Sequence, residues 1–159
     1  MTLAVGDQIP QVTLKTMGEK GPENLAMADL CAGKKVVLFA VPGAFTPTCS
    51  AAHLPGYVVN SDEIKAKGVD AIVCLSVNDA FVMNAWGEGQ NATEIIMAAD
   101  GNGELTKAMG LEMDGSGFGL GTRSSRYSLV AEDGKITILN LEKGGAFEVS
   151  SAEAILAAL

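Results

Sequence analysis

The sequence predicts an α/β layered domain in which a central mixed β-sheet is flanked by helices, and three observations carry that prediction. Hydrophobic periodicity switches repeatedly along the chain between the strand period of about 2 and the helix period of about 3.6. Two continuous apolar runs of strand length, "KKVVLFAV" at 34–41 and "VDAIVCLSV" at 69–77, have the pattern of central strands covered on both faces. Near the C-terminus, "RYSLVAEDGKITILNL" reads as two alternating strands around Asp133-Gly134, a dipeptide suited to a tight hairpin turn.

The other elements follow in order. "QVTLKT" at 11–16 alternates like a strand, and "PENLAMADLCAG" at 22–33 reads as a short helix with Pro22 near its start and Gly33 past its end. The segment after the first apolar run opens a long helical stretch, interrupted at Pro55-Gly56 and stopped at Gly68. "NDAFVMNAWGEG" at 78–89 is a helix capped by Asn78 or Asp79, "TEIIMAAD" at 93–100 a strand and "NGELTKAMG" at 102–110 a short helix. "SSAEAILAAL" is a terminal helix capped by Ser150 or Ser151. This order is that of a thioredoxin-like fold with an extra N-terminal strand and an inserted strand and helix. No linker, repeat or low-complexity tract divides the sequence, so residues 1–159 are expected to form a single domain.

Charge narrows the function classes. With 19 acidic against 11 basic residues and a net charge of -8, the surface repels nucleic acid and anionic membranes. No apolar run approaches the roughly 20 residues needed to cross a bilayer. The opening "MTLAVGDQIP" has no basic region or apolar signal core, so a cytoplasmic location is expected. The three cysteines, Cys31, Cys49 and Cys74, form no C-x-x-C pair and fit a reducing compartment with free thiols.

Cys49 stands out. In "VPGAFTPTCS" a strand ends at Val41, Pro42-Gly43 turns the chain, and a helix starting near Thr46-Pro47 puts Cys49 in its first turn. Proline suits the first helical position, because its missing N–H would be unpaired there anyway. The free N–H groups and partial positive charge of a helix start favour thiolate over thiol. Thr46 reaches over the same turn as hydroxyl donor and acceptor, and Pro42 offers an apolar ring that excludes water beside the sulfur. His53, the single histidine, lies one turn after Cys49. A Cys-His dyad with His53 as base is one reading of that spacing, and a structural hydrogen bond is the reading preferred here. A metal site from Cys49 and His53 lacks a second ligand pair, so no metal is expected. Cys74, inside an apolar strand, is expected to be packed, and Cys31, at a helix end, to be partly exposed and structural. "GSGFGLGTRSS" is read as a flexible loop that carries Phe118 and Leu120 to a pocket edge or subunit contact. The residues alone do not choose between Arg123 and Arg126 as a cation for the site.

"PGAFTPTCSAAHLPGY", Pro42 to Tyr57, resembles the active-site segment of the peroxiredoxins, P-x-x-x-T-x-x-C, in the form found in the peroxiredoxin-5-like (redoxin) subfamily. The similarity extends over "VGDQIP", "GKKVVLFAVPGAF", "KAKGVDAIVCLSVNDAFVMNAWG" and "RYSLVAEDG". It implies a thiol peroxidase that reduces hydrogen peroxide and small organic hydroperoxides on a thioredoxin fold, with no metal, cofactor or prosthetic group. Carried over, it makes Cys49 the peroxidatic nucleophile, Thr46 the hydrogen-bonding partner of the peroxide, Pro42 the shield and Arg126 the guanidinium at the thiolate. Some members carry a resolving cysteine in the tail, where this chain has Ser150 and Ser151 in "GGAFEVSSAEAIL". The expected mechanism therefore uses one cysteine, with glutathione and glutaredoxin or thioredoxin as outside reductant. The resemblance also implies a homodimer, whose interface would account for Phe45, Phe81 and Trp86 if these are exposed. The alternative function on the same cysteine is a peroxide sensor that passes oxidation to a partner protein's thiol.

Overall fold

The computed structural model describes residues 2–159. In chain order the strands and α-helices are β1 (Thr13–Gly18), β2 (Gly21–Ala26), α1 (Met27–Cys31), β3 (Lys35–Ala40), α2 (Leu54–Ala66), β4 (Ala71–Ser76), α3 (Ala80–Gly89), β5 (Ile96–Ala99), α4 (Glu104–Ala108), β6 (Glu112–Asp114), β7 (Thr122–Ser124), β8 (Tyr127–Glu132), β9 (Lys135–Leu141) and α5 (Ala152–Ala158). A seven-stranded sheet runs β2-β1-β5-β4-β3-β8-β9, and β6 with β7 forms a separate ribbon. β4 lies parallel to both β3 and β5, whereas β1–β2, β3–β8 and β8–β9 are antiparallel, so the sheet is mixed as expected.

The apolar runs are central strands because both of their faces are covered. Val37 and Phe39 of β3, with Ile72 and Cys74 of β4, face Leu54, Tyr57 and Ile64 of α2, Met83 and Trp86 of α3 and Ile155 of α5. The alternate residues Val36, Leu38, Val73 and Leu75, with Leu129 of the neighbouring β8, face Leu30 of α1 and Leu105 of α4. Each side chain so buried contributes about 1.5–3 kcal/mol over its exposed state. The two faces also separate the thiols: Cys49 and Cys74 lie on the first and Cys31 on the second.

Three segments differ from the sequence reading. Residues 22–33 are not one helix: Gly21–Ala26 pairs with β1 as the edge strand β2, and only Met27–Cys31 is helical. An edge strand tolerates Pro22, which lies opposite Met17 and has no N–H for a further neighbour. The glycine-rich stretch is an ordered hairpin between β6 and β7 rather than a loose loop, closed by Gly115 N to Gly121 O at 2.7 Å and Leu120 N to Gly115 O at 3.0 Å. Pro55-Gly56 does not interrupt the helix. Helical structure begins at Pro47, widens into a π-helical turn over Cys49–His53 and continues as α2. In that turn the Leu54 N–H reaches Cys49 O, and Pro55, lacking an N–H, leaves the Ser50 carbonyl to accept from Gln90 Nε2 at 3.2 Å.

The β8–β9 turn is as expected, with Asp133 at φ 50° and Gly134 at φ 81°, the left-handed pair that a tight hairpin demands. Asp79 caps α3 by accepting from Val82 N at 2.8 Å, and Ser151 caps α5 by accepting from Ala154 N at 3.1 Å. Beneath the π turn, Phe39 stacks on Tyr57 with ring centroids 3.9 Å apart and an interplanar angle of 3°. Phe39→Ala is expected to lower the unfolding free energy by about 3–5 kcal/mol. Urea denaturation measures it, and a loss below about 1 kcal/mol would contradict this account of the core.

Candidate active site

β3 delivers the chain to a turn fastened from several sides. Val41 N donates to Leu75 O at 3.0 Å, extending the β3–β4 ladder by one bond. Ala44 N donates to Asn78 Oδ1 at 2.9 Å, and the same oxygen accepts from Ser76 Oγ at 2.5 Å. Thr46 Oγ1 donates to Gly43 O at 2.6 Å, which leaves its lone pairs to accept. Arg123 donates from Nη1 to Pro42 O at 3.3 Å and from Nε to Leu120 O at 3.0 Å. Gly43 has to be small, since a Cβ there would lie 2.8 Å from Arg123 Nη1 and 3.1 Å from Thr46 Cγ2. Phe45 takes a left-handed conformation at φ 65°, a strain of roughly 1 kcal/mol, and holds its ring outward.

Cys49 follows in the first helical turn, as its spacing from Pro47 predicts, and is fully buried. Arg126 Nη2 donates to its sulfur at 3.1 Å, and Nη1 donates to His53 Nδ1 at 2.7 Å. A guanidinium only donates, so Nδ1 accepts and the imidazole proton resides on Nε2, which donates to Ser150 O at 3.0 Å. Burial, and next the Arg126 charge, lower the His53 pKa from 6.5 to about 3, so the ring is neutral. A neutral ring whose lone pair is occupied by Arg126 has no capacity to act as base toward Cys49, which removes the dyad reading. The Phe147 ring lies 4.9 Å from the His53 ring and 5.7 Å from Arg126 Cζ, closing the far side.

Behind His53 lies Glu142. Its Oε2 accepts from the backbone N–H groups of Glu148, Val149 and Ser150 at 2.9, 2.9 and 2.8 Å and from Ser150 Oγ at 2.6 Å. Burial pushes this carboxyl up, and the hydrogen bonds from Ser150, Glu148 and Val149 together outweigh it, leaving Glu142 below its ordinary value.

The structure thus brings Cys49, Arg126 and His53 together and sets Pro42 and Thr46 in the adjoining turn. Arg123 supports that turn and does not donate to the sulfur. The two arginines belong to different elements: Arg123 lies on β7 of the separate ribbon, whereas Arg126 directly precedes β8, in phase with Val130 on the Cys49 side of the main sheet. Cys74 is buried as expected, and burial raises its thiol pKa, with the Cys49 charge adding to the rise. Cys31 is buried rather than partly exposed, because the end of α1 packs into the second-face core that includes Leu14 of β1 and Met27 of α1. Phe45, Phe81 and Phe118 are 61%, 66% and 89% exposed, but Trp86 is core and donates from Nε1 to Ser50 Oγ at 3.0 Å. Sequence reasoning missed Glu142 and Ser150. It took Asn78 for a possible helix cap, whereas Asn78 holds the Pro42–Thr46 turn.

Stability carries the imprint of the buried imidazole. A ring held neutral in the fold but with an ordinary pKa near 6.5 when unfolded makes the unfolded state bind the extra proton. Stability is therefore full above about 6.5 and falls as pH drops from there toward 3. Denaturant midpoints between pH 7 and 4 should show this fall and a shallower one in His53→Asn; equal slopes would contradict the buried neutral ring.

Comparison with known proteins agrees with the geometry. The Redoxin family model matches residues 4–156. The chain is 56% identical over 164 residues to peroxiredoxin-2E-2, chloroplastic, of Oryza sativa subsp. japonica, covering 99% of this chain and 73% of that one. It is 50% identical over 159 residues to peroxiredoxin-2B of Arabidopsis thaliana, covering 99% and 98%. The crystal structure of reduced Prx3 from Vibrio vulnificus in complex with H2O2 superposes with a TM-score of 0.96 at 58% identity, covering 99% of each chain. With a buried cysteine under a guanidinium at the end of a central strand and relatives of this closeness along its length, the chain belongs to the peroxiredoxin family and is a thiol peroxidase on a thioredoxin-like fold.

Proposed function

We propose that the protein, acting as a single domain, reduces hydrogen peroxide and small organic hydroperoxides by a one-cysteine cycle at Cys49. The observation that carries this reading is the Arg126 guanidinium, 3.1 Å from a fully buried sulfur. The Cys49 thiolate attacks one peroxide oxygen; an S–O bond forms, the O–O bond breaks, and hydroxide or alkoxide leaves to take up a proton. Arg126 stabilises both the thiolate and the charge developing across the O–O bond. Thr46 Oγ1, donating to Gly43 O, has lone pairs left to accept from the peroxide hydroxyl. Pro42 shields the sulfur from water.

The sulfenic acid then condenses with an outside thiol to a mixed disulfide, releasing water, and a second thiol frees Cys49. Two features support outside resolution. Cys31 lies across the sheet from Cys49, and Cys74 is a buried strand residue whose thiol burial keeps protonated. Because the sulfur is fully buried, glutathione, glutaredoxin or thioredoxin reaches it only when the first helical turn opens. The exposed rings of Phe45, Phe81 and Phe118 support a homodimer, since side chains of this size gain most from being covered. A cytoplasmic location completes the reading, supported by the free cysteines.

Cys49→Ser should abolish peroxide consumption, and Thr46→Val and Arg126→Ala should each slow it about 10²-fold, the scale of losing one transition-state donor or acceptor. Near-normal rates in either of the last two would misplace the pocket. Turnover coupled to glutathione with glutaredoxin, compared with a thioredoxin system, identifies the reductant; turnover with neither would contradict outside resolution. Sedimentation at micromolar concentration should give a dimer that Phe81→Asp converts to monomer, and a monomeric parent protein would refute the assembly.

A further inference from the structure

We propose that His53 is a positioning residue for Arg126, and that the loop 142–150 fixes its ring through Ser150 and Glu142. The proposal rests on Cys49 being the peroxidatic cysteine.

An arginine side chain has many rotamers, and the sulfur is an acceptor whose character changes in every cycle, from thiolate to sulfenic acid and back. A second, unchanging acceptor is what keeps such a guanidinium in register, and His53 Nδ1 at 2.7 Å supplies it. It does so only while its proton stays on Nε2. The Ser150 carbonyl enforces that tautomer, because a carbonyl oxygen accepts and never donates. Tyr57 OH donates to the same carbonyl at 2.9 Å, which fixes it from α2 as well.

Ser150 is placed in turn by Glu142, which gathers its N–H and hydroxyl together with the N–H groups of Glu148 and Val149. Glu142 N donates to the Arg126 carbonyl at 3.0 Å, one step beyond the Tyr127–Leu141 pair of the β8–β9 ladder. The bonds therefore close a circuit that starts at the Arg126 backbone, runs through Glu142, Ser150 and His53, and returns to the Arg126 guanidinium. Around the His53 ring stand the Arg126 guanidinium from the start of β8, the Tyr57 phenol from α2 and the Phe39 and Phe147 rings, with the Glu142 carboxylate behind Ser150. No proton needs to move through this circuit. Its product is a guanidinium aimed at Sγ in each state of the cysteine.

The test compares His53→Phe, which keeps a ring among Phe39, Tyr57 and Phe147 but has no acceptor, with His53→Asn and His53→Gln, whose side-chain carbonyls restore one. The full-length reduced protein is mixed with hydrogen peroxide, and oxidation is followed by the fluorescence of Trp86, which is bonded to the residue next to Cys49. His53→Phe should react roughly 10- to 100-fold more slowly, the range for losing an orienting partner, and at least one amide variant should recover to within about threefold of the parent. Thermal unfolding of each variant checks that the rates belong to folded protein. Parent-like rates in His53→Phe, or amide variants as slow as His53→Phe, would overturn the proposal. A parent protein inert to peroxide would instead contradict the peroxidase reading itself.

Discussion

The contact on which the rest depends is the guanidinium of Arg126 against the sulfur of Cys49. A charge buried without a partner costs several kcal/mol, and the sulfur here is wholly removed from solvent. Arg126 offsets that cost and is itself largely buried, so the two groups have to be placed by the fold rather than by their own search. The aromatic rings of Phe39, Tyr57 and Phe147 around His53 keep the surroundings apolar, which strengthens the electrostatic attraction between them.

The sheet solves the placement. β3 and β8 are antiparallel neighbours in which Ala40 pairs with Tyr127, so the chain leaving β3 toward Cys49 starts beside the chain bringing Arg126 into β8. Tyr127 also pairs with Leu141 on β9, which brings Glu142 and the loop after it to the same end of the sheet. Residues far apart in the chain thus meet at one end of three adjacent strands. The π turn completes the cradle: Trp86 of α3 and Gln90 just after it hold Ser50, and the widened turn accommodates Pro55 without ending the helix.

Much of this was legible in the sequence because it is local. The apolar runs ending in Val41 and Val77, the Asp133-Gly134 turn and the Pro-x-x-x-Thr-x-x-Cys spacing each encode their conformation within a few residues. Gly21–Ala26 was misread because a strand at the sheet edge is decided by its pairing with β1, and its composition tolerates a helix equally well. Pro55 was misread because the cost of its missing N–H is met by a π turn and by Gln90, the residue at the end of another helix. Arg126 is singled out in the sequence only by the family resemblance, since the face of β8 that meets Cys49 is decided by the helices packed on the sheet. Glu142 and Ser150 left no local signal, since their bonds to His53 and Arg126 exist only after β8, β9 and the following loop have closed on one another.

The measurement that bears most directly on the central claim is the intact mass of the reduced protein after one equivalent of hydrogen peroxide, followed by peptide mapping. The account predicts added oxygen on Cys49, with Cys31 and Cys74 still free thiols. Loss of two hydrogens with Cys49 joined to Cys74 or Cys31 would contradict the one-cysteine mechanism, and an unchanged mass would contradict the identification of Cys49 as the reacting sulfur.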